Sequence, residues 1–74
     1  MADKLKPHNI IARNIHRLRL RANLTQEKLA EKIGIDLRSL QRIESGAWNV
    51  TVDYLGRIQA GLGCKWRDLY KGLD

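Results

Sequence analysis

Apolar residues recur along this chain at helical rather than alternating spacing. Ile11, Ile15 and Leu18 fall three or four apart, with Ile10 beside the first, while Arg13, Arg17 and Arg21 repeat every four residues on another face. That pattern predicts an amphipathic helix over about residues 8–22. Pro7 suits its first turn, where a missing N–H costs nothing, and Asn23 tolerates the left-handed conformation that ends many helices. Thr25 is an N-cap for a second helix, with Glu27 at the positive end of its dipole. Leu29 and Ile33 are its apolar positions, Ala30 is small, and Gly34 stops it. Asp36 caps a third helix carrying Leu40 and Ile43, which ends at Gly46. Thr51 caps a fourth, with Val52, Leu55, Ile58 and Leu62 as its buried stripe. Gly56 and Gly61 fall inside that helix at a cost of roughly 1 kcal/mol each against Ala, which predicts close packing or fraying there. Gly63 ends it, and residues 65–71 form a last helical turn with Trp66, Leu69 and Tyr70. No strand alternation, internal repeat or low-complexity segment is present. The expected fold class is all-α: a polar arm over residues 1–7, then one domain of five short helices over residues 8–74.

Residues 25–45 carry the most specific pattern. Two helices of about nine residues meet at a tight turn at Gly34, a position that needs positive φ. Leu29, Ile33, Ile35, Leu40 and Ile43 must point inward to set the interhelical angle, Ala30 must be small for close approach, and polar residues must fill the outer face of the second helix of the pair. One window meets all of these conditions. In such a helix-turn-helix the second helix enters the DNA major groove and the first crosses the backbone.

The stretches LRLRANLTQEKLAEKIGI, SLQRIESG and TVDYLGRIQAGLG together resemble the Cro/repressor-type helix-turn-helix family, also called the xenobiotic-response-element family. The resemblance runs from about Ile11 to Tyr70 and implies a lambda-repressor-like bundle of about five helices. It implies base contacts from Leu37, Arg38, Gln41 and Arg42, and phosphate contacts from Gln26 and from the loop residues Ser45, Trp48 and Asn49. It also implies a partly buried ion pair between Arg19 and Glu44. Arg pairs with guanine O6 and N7, Gln with adenine N6 and N7, and Leu37 offers an apolar contact to a thymine methyl. Two departures from the family pattern stand out. Lys28 occupies the position where an acid would complete a capping box with Thr25, and Lys65 replaces a small hydroxyl N-cap before the bulky Trp66.

Charge changes the picture modestly. Lys and Arg number 14 against 8 Asp and Glu, a net charge of +6 over 74 residues, which favours a polyanionic partner. Arg17 is a further candidate for a phosphate contact. The single cysteine, Cys64, excludes an internal disulfide and reads as a small core residue. No apolar run approaches the roughly 18 residues of a membrane span, and a reducing, cytoplasmic setting on the nucleoid is expected. His8 and His16 lack a ligand cluster, and Cys64 lacks a base, so no metal, cofactor, small-molecule ligand or enzyme activity is expected. One domain reads few base pairs, so a homodimer on a two-fold operator is expected, with Trp66, Tyr70 and Leu73 as candidate contacts. The alternative is a protein-interaction module on the same fold, such as an antitoxin. An acidic third helix would favour it, whereas this helix carries Arg38 and Arg42.

Overall fold

The computed structural model describes residues 6–73. They form five helices: α1 (Pro7–Arg21), α2 (Gln26–Ile33), α3 (Leu37–Ser45), α4 (Val52–Leu62) and α5 (Trp66–Tyr70). Residues 1–5 of the expected arm, and Asp74, lie outside the described residues. Lys6 is the N-cap of α1 and Pro7 its first residue, so the helix starts within the stretch expected to be arm.

The caps show why the helices begin where they do. Thr25 Oγ1 accepts the Lys28 N–H at 3.0 Å, Asp36 Oδ2 accepts the Ser39 N–H at 3.1 Å, and Thr51 Oγ1 accepts the Tyr54 N–H at 3.1 Å. Each bond satisfies one of the orphan donors of a first helical turn. With Lys28 at the third position of α2, the Thr25 cap has no reciprocal partner. At α5 the situation is reversed. The Lys65 side chain has no acceptor, and Asp68 Oδ2 accepts the Lys65 N–H at 3.1 Å, which is the other half of a capping box. Asn23 takes φ 61° after α1. Gly34 takes φ 76°, and its N–H and that of Ile35 both reach Ala30 O, at 2.9 and 3.0 Å, closing the tight turn of the helix-turn-helix.

The core lies where the five helices converge. Ile15, Leu29, Leu40, Ile43, Ile58 and Leu69 are fully buried, with Ile11, Ala30, Ile35 and Leu55 around them. Ile33, Leu62 and Cys64 pack against this cluster from its edge. Cys64 is thus half-buried rather than central. Val52 departs from its expected place in the buried stripe: it is 78% exposed. It opens α4 facing away from the core that takes up Leu55 in the same turn, and Val50 in the preceding loop packs on the core instead.

Two polar ties hold the helices in register. Arg19 Nε donates to Glu44 Oε2 at 2.7 Å, and Arg19 Nη1 to Leu24 O at 2.7 Å. The two side chains are only 8% and 3% exposed, so α1 is bonded to the end of α3 through a buried ion pair. The second tie, Asn14, has no counterpart in the apolar pattern. It is buried on the α5 side of α1, and its Nδ2 donates to Leu69 O at 2.7 Å and Lys71 O at 2.9 Å.

Gly61 and Gly56 are expected to respond oppositely to alanine. A Cβ at Gly61 would overlap the Ile33 Cγ2, a methyl on a stiff β-branched side chain. Overpacking of about 1–3 kcal/mol should outweigh the gain in helix propensity. A Cβ at Gly56 meets nothing within 4 Å, so Gly56→Ala should stabilise by about 1 kcal/mol. Urea unfolding of both variants reads the signs, and a stabilising Gly61→Ala would refute the packing account.

Glu44→Gln leaves the Arg19 guanidinium buried without its counter-charge. The expected loss is about 3–5 kcal/mol, measurable as a drop in urea midpoint at unchanged slope. Asp36 is expected to make stability pH-dependent. The Ser39 hydroxyl and then its N–H hold the Asp36 carboxyl below its ordinary value of 3.8. A group with a lowered folded pKa contributes stability above its unfolded value and loses it as pH falls through the folded one. Below about pH 4, wild type should therefore lose more stability than Asp36→Asn does; parallel acid titrations would contradict this.

Candidate nucleic-acid interface

The nine residues of α3 divide sharply between two faces. Leu40 and Ile43 point into the core, whereas Arg38, Gln41, Arg42 and Ser45 are exposed together on the opposite side. Neither Arg38 nor Arg42 is in an ion pair among the described residues. Both guanidiniums thus retain their donor forks for an external acceptor. Leu37 begins the helix and is half-buried. It walls a shallow groove with Ala30, Glu31 and Ile35 between α2 and α3, which leaves only part of its side chain for an outside contact.

Gln26 reaches this face through Glu44. Its Nε2 donates to Glu44 Oε1 at 3.2 Å, which ties the first residue of α2 to the last turn of α3. The second Nε2 hydrogen and the carbonyl oxygen remain for other partners. His16 Nδ1 stands 3.1 Å from the same Glu44 oxygen and 3.3 Å from Arg19 Nη2. These two contacts are alternatives: a protonated Nδ1 donates to Glu44, and an unprotonated one accepts from Arg19. Either way the Glu44 carboxylate collects α1, α2 and α3 at one point.

The loop after α3 continues the surface. Ser45 Oγ donates to Arg42 O at 2.9 Å and accepts the Ala47 N–H at 3.3 Å, which turns the chain out of the helix. Asn49 is exposed. Trp48 is 36% exposed and packs edge-on against Tyr54, with ring centroids 5.8 Å apart, so one side of the indole belongs to α4 and the other faces out. Arg17 does not join this group. It stands on the flank of α1 that faces α5, among Asn14, Leu18, Arg21 and Lys71. Trp66 and Tyr70 stack at 5.9 Å and, with Leu73, leave an exposed apolar patch at the α5 end.

Other chemistry is thinly represented. Burial, and next the Asp68 carboxylate, push the Cys64 thiol up from its ordinary pKa, which suppresses the thiolate a nucleophile requires. Among the described residues no cluster of His, Cys, Asp and Glu has metal-site geometry, and no helix is long and apolar enough to cross a membrane.

What sequence reasoning missed are two links around the site, the Gln26–Glu44 bond and the His16 contact, and the Asn14 tie on the α5 side of α1. The sequence holds a signal for one of these. Asn14 lies three residues from Ile11 and four from Leu18, at the border of the apolar stripe.

Comparison with known proteins agrees with this geometry. The family model described as Helix-turn-helix matches residues 15–69. No curated protein sequence matches the chain. Among solved structures, a hypothetical transcription factor, NHTF, from Neisseria is 25% identical with a TM-score of 0.82, over 88% of this chain and 75% of that one. A point mutant of the restriction-modification controller protein C.Esp1396I is 29% identical with a TM-score of 0.80, over 89% of this chain and 84% of that one. The five-helix order, the exposed basic face of α3 and the family match lead to one conclusion: the chain belongs to the Cro/repressor-type helix-turn-helix family, whose role is non-enzymatic, and is a DNA-binding regulator of transcription.

Proposed function

We propose that this protein acts as a homodimer on a two-fold operator, with α3 of each copy in the major groove. The observation that carries this reading is the outer face of α3, where Arg38, Gln41 and Arg42 are exposed side by side while Leu40 and Ile43 hold the helix from within. Arg38 and Arg42 read guanine edges, Gln41 reads adenine, and the free part of Leu37 meets a thymine methyl. Gln26, already held by Glu44, spends its remaining amide hydrogen on a phosphate, with Ser45, Trp48 and Asn49 along the same strand. Arg17 reaches a phosphate further out. Arg19 and Glu44 have a structural part, setting the tilt of α3 against α1. Such half-sites lie about one helical turn, roughly 34 Å, apart. The stacked Trp66 and Tyr70, with Leu73, supply the apolar patch between copies. The operator determines whether binding blocks or recruits polymerase, and the nucleoid is the place of action.

Selection from randomised duplexes at moderate salt is the direct test. The expected product is an inverted repeat containing guanine in each arm, and recovery of unrelated sequences would refute sequence-specific reading. In Arg38→Gln and Arg42→Gln, discrimination against the wrong base should fall by about 1–3 kcal/mol at one position each, with helicity unchanged. Sedimentation of Trp66→Ala on a single-site duplex should show one copy bound where wild type shows two.

A further inference from the structure

A second basic surface lies outside the α3 face. Arg13, Arg17 and Arg21 are all exposed on α1. At four-residue intervals they form a file about 12 Å long. Lys71, just past α5, joins them across two clefts between α1 and the end of the described chain. One cleft, of about 230 Å³, is lined by Ile10, Arg13, Asn14, Arg17, Lys71 and Gly72. The other includes Arg17, Arg21, Asp68 and Lys71. Asp68 is the one carboxylate lining either cleft among the described residues, and one of its oxygens already accepts the Lys65 N–H. None of the four cations forms an ion pair among the described residues. Like charges four apart on a helix repel, so of this file only Arg21, at the negative end of the helix dipole in the last turn, serves the stability of α1. Arg13 also lines the groove on the other side of α1, with His16, Glu44 and Ser45. The file therefore starts at the edge of the α3 surface and leads away from it.

We propose that this ridge is a second nucleic-acid contact, gripping the phosphates of duplex that flanks the bases read by α3. The proposal rests on the reading of α3 as the recognition helix and extends the footprint beyond it. Three features favour a phosphate backbone over an acidic protein segment. The charge of the ridge is uniform and repeated, as is the row of phosphates along a DNA strand. Leu20 is the one exposed large apolar residue of α1, whereas protein interfaces are organised around clustered aromatic and apolar anchors. The ridge is also continuous with the α3 surface through Arg13.

The test compares wild type with Arg13→Gln/Arg17→Gln/Arg21→Gln on two duplexes. One carries only the selected site, and the other adds ten base pairs on each side. Each lost phosphate contact removes about 0.9 from the slope of log affinity against log salt. On the long duplex the triple variant should be flatter by about 2.7, so between 50 and 200 mM salt wild type loses roughly 40-fold more affinity than the variant does. On the short duplex the variant should be flatter by at most the single Arg17 contact, about 0.9, and the bases selected should be unchanged. Equal slopes on the long duplex would overturn the proposal. So would equal slopes accompanied by binding of poly-glutamate to wild type alone, which would assign the ridge to an acidic protein. If the triple variant fails to fold, Arg21→Gln alone carries the test with an expected change of about 0.9. Arg38→Gln/Arg42→Gln in parallel separates the two claims. Retained base preference there would remove α3 as the reader, whereas the flank-dependent slope reports on the ridge alone.

Discussion

The buried carboxylate of Glu44 is the constraint on which the rest of the molecule depends. Taking two charges out of water costs several kcal/mol per ion, recovered only where geometry is close and the remaining polar atoms are bonded. Here Arg19 Nε bonds one oxygen, Gln26 Nε2 the other, and Arg19 Nη1 closes on Leu24 O. Among the described residues no buried side-chain nitrogen or oxygen lacks a partner. The arrangement leaves little freedom. α1, α2 and the last turn of α3 must meet at one point, and the angle at which α3 presents its outer face follows from that meeting.

This division of labour explains how so short a helix serves two ends. The inner residues of α3 and Glu44 do the folding work, and Arg38, Gln41 and Arg42 do none of it. The outer positions are thus able to specify a binding target without a stability penalty. Gln26 sits between these roles, because the bond that helps hold the fold also aims its amide toward the same surface. Leu37 is a compromise of another kind, since part of its side chain is spent covering the groove between α2 and α3.

Much of the fold is legible in the sequence because its signals are local. Thr25, Asp36 and Thr51 cap helices with their own side chains within three residues, and Gly34, Gly46 and Gly63 end them through backbone conformation. The helix-turn-helix core is legible for the same reason, as its spacing is written in one window. What escapes is set by contacts distant in sequence. Val52 satisfies the helical period yet lies outside while Leu55 in the same turn is buried, because burial depends on where the other elements sit and not on the period alone. Gly61 is explained by Ile33 on a different helix, whereas no packing demand accounts for Gly56. Arg17 follows the same period as Arg13 and Arg21, and only the placement of α5 shows which flank of α1 it occupies. The exposed face of α3 was legible as a set, because polarity and spacing identify a face even where individual contacts depend on the partner.

The Asn14 amide has a consequence for how the chain comes to be folded. At five residues, α5 is too short to persist on its own. The backbone carbonyls of Leu69 within it and of Lys71 just past it are held by a side chain 55 and 57 positions earlier. During synthesis α1 is complete while the chain from Ala22 to Lys71 is still to be made, an interval of about 2.5–10 s at 5–20 residues per second. Until then the Asn14 donors face water, and the adjoining apolar stripe lacks the cover that Leu69 supplies. The nascent domain is thus an open bundle for seconds and locks only when nearly all of these 74 residues have emerged.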